Sequence, residues 1–290
     1  MHSIIVIFGA TGDLAKHKLF PALEELNKEQ EISIIAVGRK PFTTTSFREQ
    51  LLIKTDFLNK ITYVQGDYTK ARLYSLLRKT ISHTQKVLYY LATPPTAFSD
   101  IIKGINSTVL VKHARILIEK PFGTSLATAR ELHKTISSLI SEKQLYLVDH
   151  YLGKSMISNI VHLRELPELQ PWNNKRIKAV QITAFETKGT EGRGQYYDKT
   201  GALKDMIQSH LLQIISLIAM QPPCKTHQEC KAYALEKFIL KPKTIIRGQY
   251  KEYLSEEHVA PDSQTETFIQ LTLLNNMPEW KNVPFTITSG

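Results

Sequence analysis

Ser3-Ile4-Ile5-Val6-Ile7-Phe8-Gly9-Ala10-Thr11-Gly12-Asp13-Leu14-Ala15 is the stretch whose reading decides the fold. Ser3 to Phe8 is an uninterrupted apolar run rich in β-branched residues, which predicts a buried strand. Gly9 and Gly12 predict a tight turn, and Leu19, Phe20, Leu23 and Leu26 follow at helical spacing. Strand, glycine turn and helix in that order let a backbone approach a pyrophosphate while the unpaired N–H groups of the helix start point at the anion. The turn residues Gly9, Thr11, Gly12, Asp13 and Leu14 are therefore candidate cofactor contacts. Thr11 stands where the second glycine of a full G-x-G-x-x-G would be, so a plain strand-to-helix turn stays open. Pro21, inside the helical pattern, is expected to kink or delay the helix.

Working outward, Ile34 to Gly38 reads as a second strand that ends in Arg39-Lys40. In a dinucleotide fold this strand end meets the adenosine ribose, where an acid suits a free 2′-hydroxyl and a cation suits a 2′-phosphate. Arg39 thus points to NADP rather than NAD, with a surface arginine as the other reading. Further strands are expected at Ile61 to Gln65, Val87 to Ala92, Arg115 to Glu119 and Gln144 to Val148, with helix-length segments between them. That alternation is the pattern of a parallel, doubly wound sheet. Such sheets bind ligands at the carboxyl ends of their strands, which singles out Ala92, Thr93 and Pro94 after the fourth strand and Lys120 after the fifth.

The sixth strand runs into Asp149-His150-Tyr151-Leu152-Gly153-Lys154, an acid, an imidazole, a phenol and an ammonium within six residues. Residues 1 to 150 are assigned to the dinucleotide-binding domain and 151 to 290 to a second domain. Its first long strand is expected at Ile177 to Phe185, followed by Glu186 and a flexible, charged glycine loop from Gly189 to Gly194. Ala202 to Met220 carries apolar residues three and four apart and predicts one amphipathic helix, with His210 on its apolar stripe. Asp205 lies five residues earlier, which on an α-helix does not put it beside His210, so Asp149 is the candidate partner. Strands at Thr244 to Tyr250, Thr265 to Leu274 and Pro284 to Thr288 complete the second domain.

The 290 residues, 42% hydrophobic, can fill a core without staples. The charge of +10 comes from 37 basic and 27 acidic residues dispersed in ones and twos, which does not make a nucleic-acid face and fits a small anionic partner. No apolar run approaches membrane-spanning length, so no membrane partner is expected, and with no secretory leader recognised the expected location is the cytoplasm. Cys224, His227 and Cys230 form C-x2-H-x2-C, but a convincing fourth ligand is lacking and no metal site is assigned.

Several of these stretches, taken in order, resemble the glucose-6-phosphate dehydrogenase family: Gly9 to Ala15, Leu91 to Pro95, Glu119 to Gly123, Asp149 to Lys154, Gly189 to Gly194 and Asp205 to Gln213. The resemblance implies a Rossmann-like α/β domain, then an α+β domain with a large, mainly antiparallel sheet, and oxidation of glucose 6-phosphate to the lactone with NADP reduced. It implies His210 as general base and Asp149 as the carboxylate that orients it. It further implies His150, Tyr151 and Lys154 at the substrate phosphate, Glu186 and Asp205 at sugar hydroxyls, Lys120 near both substrate and cofactor, and Arg39 at the 2′-phosphate.

Departures from the family pattern are also visible. Val283-Pro284-Phe285 is present, but the sequence given stops at Gly290, short of the family's second phosphate lysine and of much of its dimer sheet. Ser155 replaces a common acid, Thr187-Lys188 replace Pro-Phe, and Leu163 to Gln170 lack the usual Arg-Phe-Ala-Asn run. The expectation is therefore a C-terminally incomplete dehydrogenase, dimeric or tetrameric only at full length. The alternatives are a non-catalytic binder of NADP or sugar phosphate, and a dehydrogenase of another sugar phosphate.

Overall fold

The computed structural model describes residues 3–81, 87–108, 114–120, 122–123, 125–149, 151–169, 171–190, 192–221 and 224–290. The chain divides into two compact units, Met1–Val148 and Asp149–Gly290.

In the first unit β1 (Ser3–Phe8) leads into a π-helical turn, Ala15–Leu19, and then α1 (Phe20–Glu29). Pro21 does not delay the helix, which runs unbroken from Asp13; it lies inside it, directly after the π-helical turn where the regular α pattern gives way. Next come β2 (Ile32–Gly38), α2 (Thr44–Arg48), β3 (Ile61–Gln65), α3 (Ala71–Thr80), β4 (Val87–Leu91), α4 (Phe98–Asn106), β5 (Ala114–Glu119), α5 (Leu126–Ser137) and β6 (Leu145–Val148). All six strands are parallel, in the order β3-β2-β1-β4-β5-β6. The order reverses between β1 and β4, the switch point of a doubly wound sheet.

Successive side chains of β1 serve opposite cores, which is why it reads as unbroken apolar sequence rather than as an alternation. Val6 and Phe8 join Leu73, Leu77, Ile101 and Ile102 of α3 and α4 on one face, while Ile5 and Ile7 join Phe20 and Phe47 of α1 and α2 on the other.

The second unit opens with the turn that contains Tyr151 and Lys154, followed by α6 (Ser155–Glu165) and β7 (Val180–Ala184). The strand expected from Ile177 begins at Val180. Asn173 ends the preceding segment in a turn, its carbonyl accepting from the N–H groups of Arg176 (3.1 Å) and Ile177 (2.8 Å). α7 (Gly194–Ala202) begins at the last residue of the expected glycine loop, and the chain breaks at Gly201 (φ 63°) before a π-helix, Leu203–Leu211, that runs on into α8 (Leu212–Ala219). The single α-helix expected over 202–220 is thus half π and half α.

α9 (His227–Glu236), β8 (Phe238–Leu240), β9 (Ile246–Gly248), β10 (Phe268–Asn275) and β11 (Pro284–Ser289) complete the unit. β9 is shorter than the strand expected over 244–250 because Pro242–Thr244 forms a 3₁₀ turn and the paired residues are only Ile246 to Gly248. The sheet is mixed: β10 runs antiparallel to β8, β9 and β11, whereas β11 pairs parallel with β7.

The core of this unit packs Ile207, Leu211, Ile214 and Ile215 against Ile269, Leu271, Phe285 and Ile287. Trp280, fully buried, donates from Nε1 to the Ala219 carbonyl (2.8 Å) and meets the Phe285 ring edge-on. The Arg164 guanidinium caps the other carbonyls at the end of α8, donating to Ile218 O (2.6 Å) and to Met220 O. Cys224 and Cys230 are joined as a disulfide, Cα atoms 5.6 Å apart, which corrects the expectation of a chain without staples. Among the described residues no helix is long and apolar enough to cross a membrane, and no His, Cys, Asp and Glu cluster could hold a metal ion.

Candidate active site

The first unit builds a crevice at the switch point. Gly9 has φ +82°, and an added Cβ would lie 2.3 Å from the Ala92 carbonyl oxygen and 3.0 Å from Thr93 Cγ2. Only glycine lets β1 leave its strand this close to the end of β4. The turn is held from both sides: the N–H groups of Gly9 and Ala10 each point to the Val37 carbonyl (3.1 Å), Gly12 N–H donates to Gly9 O (2.9 Å), and Lys16 N–H donates to Gly12 O (3.1 Å). Thr11 packs towards Gly38, whose own Cβ would fall 2.9 Å from Thr11 Cγ2. Asp13 and Leu14 follow where the helix begins, and Asp13 O is 3.0 Å from His17 Nδ1. Arg39 is exposed just past the end of β2.

These features fit a dinucleotide. The turn leaves a cradle that a side chain would fill, the helix starts directly after it, and the buried hydroxyl of Thr93, next to Pro94, has no hydrogen-bond partner among the described residues. Lys120 follows β5, where Glu119 accepts a hydrogen bond from the Tyr90 hydroxyl of β4. Burial, reinforced by the Glu119 carboxylate, pushes the Tyr90 phenol well up, so this bond persists across the physiological range. The pairing was not legible in sequence, since β4 and β5 meet only through the sheet.

The second unit brings four of the predicted residues together. Asp149 Oδ1 lies 3.8 Å from His210 Nδ1, with both side chains close to buried, 8% and 12% exposed. The Tyr151 ring stacks on the His210 imidazole, centroids 4.3 Å apart and planes 21° from parallel, and the Lys154 ammonium sits 3.7 Å from the Tyr151 ring centre. His150 lies outside the described residues. The local turn is self-made: Asp149 accepts from Tyr151 N–H at Oδ1 (3.1 Å) and from Leu152 N–H at its carbonyl (3.1 Å), and Lys154 N–H donates to Tyr151 O (3.1 Å).

The π-helix changes the relation of Asp205 to His210. A π-helical turn closes between residues five apart, as the Ser209 hydroxyl bonded to Lys204 O (2.8 Å) illustrates. Asp205 and His210 are therefore one turn apart on the same side, contrary to the α-helical expectation.

Asp205 accepts from the Tyr196 hydroxyl (3.2 Å). Tyr197 is pushed up to about 12, first by burial and then by the carboxylates of Asp205, Glu266 and Glu186, so Glu186 and Asp205 do share one neighbourhood. Glu186 itself is fixed by its N–H, which donates to Gly290 O (2.8 Å) just past β11.

The glycine loop is anchored at Thr190. Thr190 is buried and donates to Glu256 (2.8 Å), which also accepts from the Tyr250 hydroxyl (2.8 Å). These two hydroxyls, Thr190 first, hold the Glu256 carboxyl below its usual range. Asp198 does the same for the following segment, accepting from Ser263, from Tyr253 (2.8 Å) and from Ala260 N–H (3.3 Å). Sequence reasoning missed these supports because Glu256 lies 66 residues from Thr190, and the partners of Asp198 lie 55 to 65 residues from it.

Residues 6–159 match the profile of the glucose-6-phosphate dehydrogenase NAD-binding domain and residues 169–290 that of its C-terminal domain. The chain belongs to the glucose-6-phosphate dehydrogenase family. Within that family it is 37% identical to glucose-6-phosphate 1-dehydrogenase of Chlamydia muridarum, with 99% of this chain and 67% of the relative covered. It is 36% identical to the enzyme of Bacillus subtilis, covering 99% and 68%.

A crystal structure of glucose-6-phosphate 1-dehydrogenase from Mycobacterium avium superposes with a TM-score of 0.91 at 34% identity, covering 99% of this chain and 68% of that one. A glucose-6-phosphate dehydrogenase solved with glucose 6-phosphate gives a TM-score of 0.93 at 32% identity, again covering 99% and 68%. The chain thus spans about two thirds of the length of these relatives. Membership of the family makes it an oxidoreductase of carbohydrate metabolism with a nicotinamide-dinucleotide-binding domain.

Proposed function

We propose that this chain carries the machinery for oxidising the C1 hydroxyl of glucose 6-phosphate to the lactone, with NADP as the acceptor. The observation that carries the reading is the nearly buried Asp149–His210 pair, set in a fold that matches a substrate-bound member of the family. NADP, when bound, supplies the hydride acceptor. His210 takes the proton from the C1 hydroxyl, a task suited to an imidazole because its ordinary pKa lies near neutrality. Asp149 holds the ring in orientation and stabilises the imidazolium that forms. A separation of 3.8 Å is long for a hydrogen bond, and such contacts tighten when substrate is bound.

Lys154 and Tyr151, together with His150, are assigned to the phosphate, where an ammonium and a hydroxyl suit a dianion. Glu186 and Asp205 are assigned to sugar hydroxyls, and Lys120 to substrate beside the cofactor crevice. Gly9, Thr11, Gly12, Asp13 and Leu14 frame the pyrophosphate, with Ala92, Thr93 and Pro94 opposite, and Arg39 meets the 2′-phosphate. We assign a homodimeric or tetrameric assembly and a cytoplasmic location. The direct test is NADP reduction on addition of glucose 6-phosphate, followed by absorbance and compared with its C2 and C4 epimers. Equal rates on all three sugars, or reduction with none, would refute the assignment.

A further inference from the structure

The stack over His210 does more than fill space. A cation 3.7 Å above the centre of the Tyr151 ring and an imidazole stacked at 4.3 Å cannot share one face without colliding, so Lys154 and His210 take opposite faces of the same ring. The ring's electron-rich face favours a cation, and two cations on its two faces compete for that one quadrupole while repelling each other. In the ligand-free protein, then, the Lys154 ammonium opposes protonation of His210.

An anion that engages Lys154 removes the opposition and frees the Tyr151 ring to support the imidazolium. We infer that Tyr151 is a positioning residue that couples anion capture at Lys154 to the proton affinity of His210, so that the base strengthens only once a dianion is in place. This rests on the reading of His210 as the base, but the stack is observed independently of it.

The other charged or titratable groups that bear on His210 do not supply the coupling. Asp149 faces Nδ1 directly, and a carboxyl group offers a dianion no cationic partner. Asp205, one π-turn below, is engaged by Tyr196. α7 contributes Tyr196, Tyr197, Asp198 and Lys199, of which Asp198 is taken up by Tyr253 and Ser263. β11 and α8, which also pack on the π-helix, carry no titratable side chain. Among the described residues, Lys154 is seen both to touch the ring and to be suited to receive a dianion.

The experiment is an NMR titration of the imidazole C–H resonances of the intact protein, with His210 assigned from its absence in His210→Asn. Inorganic sulfate serves as the probe because it remains a dianion throughout the titration. Sulfate is expected to raise the His210 pKa by about half a unit to one unit in the wild type, the size of one screened charge interaction across a ring. Tyr151→Phe should keep that rise, and Tyr151→Leu should lose at least half of it. Lys154→Met should raise the ligand-free value by about half a unit and abolish the response to sulfate.

No sulfate response in the wild type, or Tyr151→Phe behaving as Tyr151→Leu, would overturn the coupling. If Tyr151→Leu does not fold, as shown by its thermal transition, an unchanged titration in Lys154→Met overturns it alone. In turnover, the acid limb of kcat should follow the NMR values, with Tyr151→Phe raising KM and leaving the limb in place. A limb that ignores a confirmed NMR shift would remove His210 as the base and leave the stack intact.

Discussion

Asp198 offers the sharpest test of how the second unit holds its site. Its carboxylate accepts from Tyr253 Oη (2.8 Å), from Ser263 Oγ and from Ala260 N–H (3.3 Å), pinning the 253–263 segment to α7, the helix whose Tyr196 reaches Asp205. Replacing Asp198 with alanine leaves the hydroxyl of fully buried Tyr253 without its acceptor, about 2 kcal/mol. Ala260 N–H is exposed and can turn to water, and the buried Ser263 hydroxyl still accepts from Thr265 N–H, so they add about 0.5 kcal/mol each. A total near 3 kcal/mol corresponds to a fall in Tm of roughly 6–12 °C for a unit of this size. Asp198→Asn keeps one acceptor and should lose only about 1 kcal/mol.

The carboxyl of Asp198 is held below its usual value, first by Ser263 and then by Tyr253 and Ala260, so the sign of its pH dependence follows. Its contribution is complete above the unfolded value near 3.8 and is lost as pH falls through the lower, folded value. The wild type should therefore lose more stability over that acid window than Asp198→Asn does. Urea denaturation followed by tyrosine fluorescence, repeated at several pH values, measures both effects. If the alanine variant fell within about 0.5 kcal/mol of the wild type, or if asparagine were as damaging as alanine, the carboxylate would not be the anchor.

Three further outcomes are expected. His210→Asn should lower kcat by about two to four orders of magnitude with substrate binding largely kept, and near-normal turnover would remove His210 as the base. Arg39→Ala should weaken NADP far more than NAD in a fluorescence titration, whereas equal losses would free Arg39 from the 2′-phosphate. Gly9→Ala should abolish dinucleotide binding, since its Cβ would fall 2.3 Å from Ala92 O at a backbone angle that alanine resists; affinity within about threefold of wild type would show that the turn adapts.

Much of the first unit was legible because its strands are buried on both faces and its glycine turn is local. β1 and Gly9 declare themselves within seven residues, and Pro21 stands just after the π-helical turn passes into α1. The second unit was harder to read. Whether residues 203–211 wind as α or π depends on packing rather than spacing, and that choice decides whether Asp205 and His210 share a side. α7 was hidden by Gly194 and Gly201, glycines retained for the close approach of the Glu257 carbonyl and the Glu266 carboxylate rather than for looseness. The Asp149–His210 encounter was anticipated from residue types, but the stack with Tyr151 and Lys154 was not. Faces of rings leave no trace in a sequence.

The parallel pairing of β7 with β11 has a consequence for the order in which the protein assembles. β7 meets β11 in register from Val180–Phe285 to Ala184–Ser289, across on the order of a hundred intervening residues, and Glu186 takes its anchor from Gly290. On a ribosome, β7 emerges many seconds before its partner exists and must wait with an unpaired edge while β10 and β11 are made. In the first unit β1 gains β2 on one edge across a short crossover, while its other edge waits for β4. Closure of the second unit's sheet should therefore follow completion of β11, and slow synthesis between the two strands should favour capture of the waiting edge by chaperones or by neighbouring chains.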